Sequence, residues 1–195
     1  MSNTKIIAFI GLFFCFFGAN GVLAQKDIFT EFQYEPGYIV TNKGDTVRGL
    51  VKYTRQYELS LRVYFHDEKT REPQLLRPFT IRSFFVHGET YESKVYDYAP
   101  EQPDGFAVFM RRMNTGVCRI YEYWNSDRER GFTQVFLEKG GKPMEEVRFF
   151  DFKRQMMYFF IDFPQLSAKI GRNVFQRRDL AKIVEEYNTW KARGW

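Results

Sequence analysis

The chain has 195 residues, with 29 Lys and Arg against 24 Asp and Glu, a net charge of +5 and a mean hydropathy of −0.45. That length suits one domain with a sizeable core. The basic residues (Arg62, Arg77, Arg82, Arg111, Arg112, Arg119 and Arg148) are interleaved with acids and aromatics instead of forming a run, which argues against a nucleic-acid-binding tail or patch.

Residues 1–24 read as a secretory signal peptide. Lys5 is followed by an apolar run, Ile6–Gly18, and then by Val22-Leu23-Ala24. Cleavage is expected between Ala24 and Gln25. The run is apolar all round and shorter than the about 20 residues a membrane-spanning helix needs, so no stable span is expected after cleavage. The competing reading is a membrane-anchored periplasmic protein that keeps this segment. Cys15 lies inside the run but follows Phe14, where a lipoprotein signal needs a small residue. Once Cys15 is removed, Cys118 has no partner for an internal disulfide. In Val117-Cys118-Arg119-Ile120 it reads as a small buried hydrophobe on a strand.

A short leader, 25–36, precedes a single domain, 37–195. Gly37–Thr41 and Thr46–Tyr53 read as two strands around Asn42-Lys43-Gly44-Asp45, where Asn and Gly are expected to supply positive φ. Further strands are expected at Leu61–His66, Phe79–Val86, Thr90–Tyr98, Phe106–Met113, Val117–Trp124, Thr133–Glu138 and Met144–Phe150. The breaks fall at His87-Gly88, Asn114-Thr115-Gly116 and Lys139-Gly140-Gly141-Lys142-Pro143. This is an α+β pattern: an antiparallel meander, curled sheet or barrel-like sheet of about eight or nine strands, followed by C-terminal helices packed on it.

The period changes at Asp151. Phe152, Met156, Phe159, Phe160 and Phe163 recur at helical spacing, although a strand over Met156–Phe163 competes. Asp162 is placed to cap a second helix that begins at Pro164 and stops near Gly171. A last helix runs from about Arg177 to Lys191, with Leu180, Ile183, Val184, Tyr187 and Trp190 on its apolar side. The helical layer spans 151–193.

No motif marks catalysis. His66-Asp67-Glu68 is a loose cation-site pattern but reads better as a solvated strand end, and no zinc spacing occurs. The acidic neighbours Glu145-Glu146 and Glu185-Glu186 do not form a facing pair as glycoside hydrolysis requires. Gly140-Gly141-Lys142 lacks the spacing of a phosphate loop. Ser83, Ser93, Ser126 and Ser167 lack a nucleophile-elbow context. A hydrolase would therefore need an unmarked site. A surface-recognition patch would draw on Tyr121, Tyr123, Trp124 and Arg128, since Tyr, Trp and Arg are enriched at contact sites. Packing of Tyr121 and Tyr123 is the default reading. Asp45-Thr46-Val47 fits a three-residue O-glycosylation acceptor centred on Thr46, and equally a turn exit into a strand.

Gly37-Tyr38-Ile39-Val40-Thr41, Gly44-Asp45-Thr46 and Gly49-Leu50-Val51-Lys52-Tyr53, with Ile183-Val184-Glu185-Glu186-Tyr187-Asn188 near the end, together resemble a group of uncharacterised exported proteins of Bacteroidetes. The resemblance implies a periplasmic, outer-membrane-associated or secreted location and carries no catalytic residues. The resulting expectation is a non-enzymatic binding or structural protein of the cell envelope, without a cofactor, whose partner is an envelope protein or a glycan.

Overall fold

Three glycine turns organise the sheet. In the computed structural model, which describes residues 33–70, 72–96, 106–125 and 132–194, Gly44 has φ 98° and donates to the Thr41 carbonyl at 2.9 Å. That closes the hairpin between β1 (Tyr34–Thr41) and β2 (Thr46–Lys52). Asn42 does not share the positive φ expected of it. His87 and Gly88 both have positive φ, 53° and 77°, the requirement of a type I′ hairpin. They join β5 (Ile81–Val86) to β6 (Glu89–Tyr96). Gly140 and Gly141, at 56° and 76°, turn the chain out of β9 (Phe132–Lys139) towards β10 (Glu145–Glu146).

The remaining strands are β3 (Val63–Asp67), β4 (Pro73–Leu76), β7 (Phe106–Arg112) and β8 (Cys118–Asn125). All ten pair antiparallel in the order β10-β9-β8-β7-β6-β5-β1-β2-β3-β4. The sheet is open: β10 and β4 stand at its two edges, and barrel closure is absent among the described residues. Both edges are blunted, since β10 is two residues long and β4 begins with Pro73. The expected strand Met144–Phe150 shrinks to β10 because the chain turns into a helix at Asp151, although Val147 still donates to Val135 at 2.8 Å.

One connection constrains the curl of the sheet. Only Arg77–Thr80 link β4 to β5, yet β1, β2 and β3 lie between them. Four inter-strand gaps in a flat sheet span about 19 Å. The five residue steps from Leu76 to Ile81 reach at most about 18 Å. The strands must therefore bend towards one another, and they do so around a core of Ile39, Val51, Val63, Phe65, Ile81 and Phe84, with Leu76 packed against it. The link itself is taut. Phe79 has φ 70°, a conformation that costs a non-glycine residue about 1–3 kcal/mol. It is held by Ser93 Oγ, which accepts from its N–H at 3.2 Å, and by Asn42, whose side-chain amide donates to its carbonyl.

Gly37 and Gly49 face each other across β1 and β2, and both have their Cβ positions occupied. A Cβ on Gly49 would lie 2.1 Å from the His66 carbonyl oxygen and 2.7 Å from the Phe65 ring. A Cβ on Gly37 would lie 2.3 Å from the Phe85 carbonyl oxygen. The two glycines let the backbone approach closely where the sheet bends.

Helices cover one face. The short α1 (Gln56–Leu61) sends Leu59 into the β1–β7 core. It occupies ground that includes Leu61, expected as strand. At six residues it is too short to show a period, and packing sustains it. The helices α2 (Phe152–Phe159), α3 (Pro164–Gly171) and α4 (Leu180–Ala192) bury Phe152, Met156, Phe159, Phe160, Leu166, Ile170, Ile183, Val184 and Tyr187 against Cys118, Ile120 and Leu137 of β8 and β9. Met156–Phe159 is thus helical. Phe163, rather than Asp162, is the residue at the start of α3, and no side chain caps it. Asp162 is engaged elsewhere: it accepts from Lys139 Nζ at 2.8 Å and from the Tyr187 hydroxyl at 2.7 Å. Lys139, itself buried, also donates to the Phe159 carbonyl and lies under the rings of Phe159 and Tyr187, so it ties the end of β9 to the α2–α3 junction.

Candidate functional site

Strand register sorts the side chains onto two faces, because residues directly opposite each other share a face. The helix-covered face carries Ile39, Phe84, Tyr91, Arg111 and Glu122 in one cross-strand row. The other face carries Arg48, Tyr38, Phe85, Thr90, Arg112, Tyr121 and Phe136 in the adjacent row. Leu50 and His66 are paired beside it.

The β1–β3 and β5 part of this second face holds a groove of about 890 Å³, lined by Pro36, Tyr38, Thr46, Arg48, Leu50, His66, Asp67, Glu68 and Phe85. Tyr38 and Phe85 stack with ring centroids 5.2 Å apart and planes 8° from parallel. Tyr34 meets the His66 ring edge-on at 4.6 Å. Arg48 and Leu50 are exposed. The Asp67 carboxylate accepts the Lys69 backbone N–H at 2.7 Å. The groove therefore combines aromatic and aliphatic surface with a guanidinium, an imidazole and two carboxylates along its rim.

Further along the same face, the side chains of β6–β9 are tied to one another. The Tyr121 hydroxyl lies between Glu92 (2.7 Å) and Glu138 (3.0 Å). Lys94 donates to both Glu138 oxygens at 2.8 and 2.9 Å and sits 4.4 Å above the Tyr121 ring. Arg112 donates to Glu92 at 2.6 Å. Burial by itself would raise the Glu92 carboxyl, but the Tyr121 hydroxyl, Lys94 and Arg112 outweigh it and hold Glu92 below the usual carboxylate range. Burial pushes the Tyr121 phenol well up, and the two carboxylates push it further.

Sequence-derived candidates fall in several places. Tyr121 and Tyr123 are buried, at 0 % and 6 % exposure, so they pack with Val108, Met110 and Phe136 and offer no ring to a partner. Trp124 is half-buried and lines a very small cavity under α1 with Arg111 and Glu122, where Arg111 donates to both Glu89 and Glu122. Arg128, Ala24 and Gln25 lie outside the described residues. Thr46 is exposed at the entry to β2, on the groove rim. Cys118 is fully buried, and burial raises its thiol to about 12, against a smaller opposing pull from Lys139. His87 pairs through Nδ1 with Glu35 at 2.9 Å and stacks on Tyr53 at 4.4 Å. Glu146 accepts from Gln134, and Glu186 from Lys169. Among the described residues no group of three or more His, Cys, Asp or Glu side chains is placed to hold a metal ion. Tyr38, Arg48, Leu50 and Phe85 were missed as site residues, and His66 was weighed only as part of a loose cation site. For Tyr38, Arg48 and Leu50 the signal was the outward-facing alternate positions of the glycine-rich hairpin.

Compared with protein-family models, with curated proteins and with solved structures, the chain matches none.

Proposed function

We propose that this chain is an exported, non-enzymatic binding protein of the cell envelope that receives a glycan on its uncovered sheet face. The groove lined by Tyr38, Phe85, Arg48, His66 and Asp67 carries the reading. A pyranose ring has an apolar C–H face and a rim of hydroxyls. Aromatic and aliphatic side chains accommodate the first, and a guanidinium, an imidazole and carboxylates accommodate the second. The groove is open along the sheet, which suits a chain of sugars more than a single small molecule. Export rests on the N-terminal pattern and on the resemblance to exported Bacteroidetes proteins, which also favours an envelope or secreted setting. Thr46, exposed on the rim, is the candidate acceptor for O-glycosylation, read out by the intact mass of protein recovered from its native envelope.

The test is calorimetric titration with soluble peptidoglycan fragments and with neutral and acidic oligosaccharides, together with an assay for newly released reducing ends. Binding without cleavage is expected, and Tyr38→Ala and Arg48→Ala should each weaken it about tenfold or more. Release of reducing ends would make the chain a hydrolase instead. Unchanged affinity in both variants would remove the groove from the reading.

A further inference from the structure

The second apolar surface lies on the helices. On α2, Phe152, Met156 and Phe159 face inwards. On its outer side Tyr158 is 74 % exposed and Ile161, just past its end, is 63 % exposed, while Phe150 ahead of the helix is fully exposed. These three line one groove of about 490 Å³ with Met157, Lys153 and Arg154. Clustered exposed aromatic and aliphatic side chains mark a contact surface.

We propose that this face docks on an anionic lipid bilayer, with Phe150, Tyr158 and Ile161 among the headgroups and basic side chains on the phosphates. Charge favours lipid as the occupant. Residues 148–194 contain ten Lys and Arg against five Asp and Glu, a net +5 that equals the charge of the whole chain, so residues 1–147 sum to zero. Part of that surplus lies at the apolar cluster. Lys153 and Arg154 line the groove, Arg177 stacks over Phe149, and the end of α3 before Arg172 sits against Met157. The one acid in the groove, Asp151, pairs with Arg154 at 2.8 Å, so Lys153 leaves the groove itself with a net charge of +1. Protein partners usually take an anchor into a fitted pocket. Here the apolar groups project outwards, as in helices that lie in the plane of a membrane interface. No helix among the described residues is long and apolar enough to cross a bilayer, and surface docking needs none.

The test is co-sedimentation of the protein, with the N-terminus it carries when recovered from its host, with vesicles of phosphatidylcholine alone or with about 30 % phosphatidylglycerol. Wild type should partition at least about tenfold better to the anionic vesicles and lose that preference as salt rises to about 0.5 M. The triple variant Phe150→Ser, Tyr158→Ser, Ile161→Ser should lose about tenfold or more, and so should Lys153→Glu with Arg154→Glu. Circular dichroism and thermal midpoints near wild type would show that these exposed changes leave the fold intact. Equal partitioning to both vesicle types, or wild-type binding by the triple variant, overturns the proposal. So does capture of an acidic protein through this face with no vesicle binding.

Discussion

The side-chain amide of Asn188 on α4 pairs with both backbone groups of Cys118 on β8. Asn188 accepts from the Cys118 N–H at 2.7 Å and donates to its carbonyl at 2.8 Å. It stands where a neighbouring strand would stand. Asn114 completes the arrangement by donating to the same carbonyl at 3.0 Å and accepting from the Ile120 N–H. The β7–β8 hairpin is thus held by two asparagines where its own ladder is short, and one of them comes from the last helix.

Asn188→Ala leaves a buried N–H unpaired, at a cost of about 1–3 kcal/mol. Gly116→Ala should destabilise through the same contact, because a Cβ there would meet the Asn188 amide at 2.5 Å on a backbone with φ 126°. Urea denaturation curves check both. If Gly116→Ala is as stable as wild type, the clamp is not closed as described.

Gly49→Ala tests the bend in the sheet. The added methyl points at backbone, the His66 carbonyl oxygen, which cannot swing aside as a side chain would. A loss of about 1–3 kcal/mol or more is expected, with the groove disturbed as well. Gly141→Ala serves as the contrast: its Cβ would meet nothing, so its cost comes only from φ 76° and should be about 1 kcal/mol. Thermal midpoints of the two variants rank these effects.

Cys118 should resist alkylation in the folded protein, both because it is fully buried and because its thiol stays protonated at neutral pH. Iodoacetamide added at pH 8 should label it only at the rate of unfolding, and in denaturant at once. Fast labelling of the native protein would place the thiol at the surface.

Glu92 gives the fold a pH dependence of defined sign. Its folded carboxyl titrates below its unfolded value. Its contribution is therefore complete above the unfolded pKa, about 4.3, and is lost as pH falls through the lower folded value. Glu92→Gln should be clearly less stable than wild type at pH 7, and the gap should close at more acidic pH. Thermal midpoints recorded from pH 7 to pH 3 decide it; a gap that stays constant would assign the loss to packing alone.

Much of the fold was legible from local chemistry. Gly44, His87-Gly88 and Gly140-Gly141 mark turns because only special φ values close them, and the Phe152-Met156-Phe159 spacing marks a helix because its inner face is continuous. Leu59 and its single helical turn left no such trace, and neither did β4, whose four residues sit at an edge behind Pro73. The site was less legible. Strand alternation shows that Tyr121 and Tyr123 share a face, but not that this face is packed at β7–β9 and free at β1–β3. Tyr38, Arg48, His66 and Phe85 come from four strands, and only strand order and register bring them to one groove.

The four-residue tie from Arg77 to Thr80 gives that groove its outline at a distance. Shortened further, it would tear β4 from the edge; lengthened by a few residues, it would let the neighbouring strands relax towards flatness around the Ile39–Phe84 core and change the spacing of Tyr38 and His66 on the opposite face. The contour of that face is thus governed by a connector on another part of the chain, so a change in that connector's length would reshape the groove without altering any side chain that lines it.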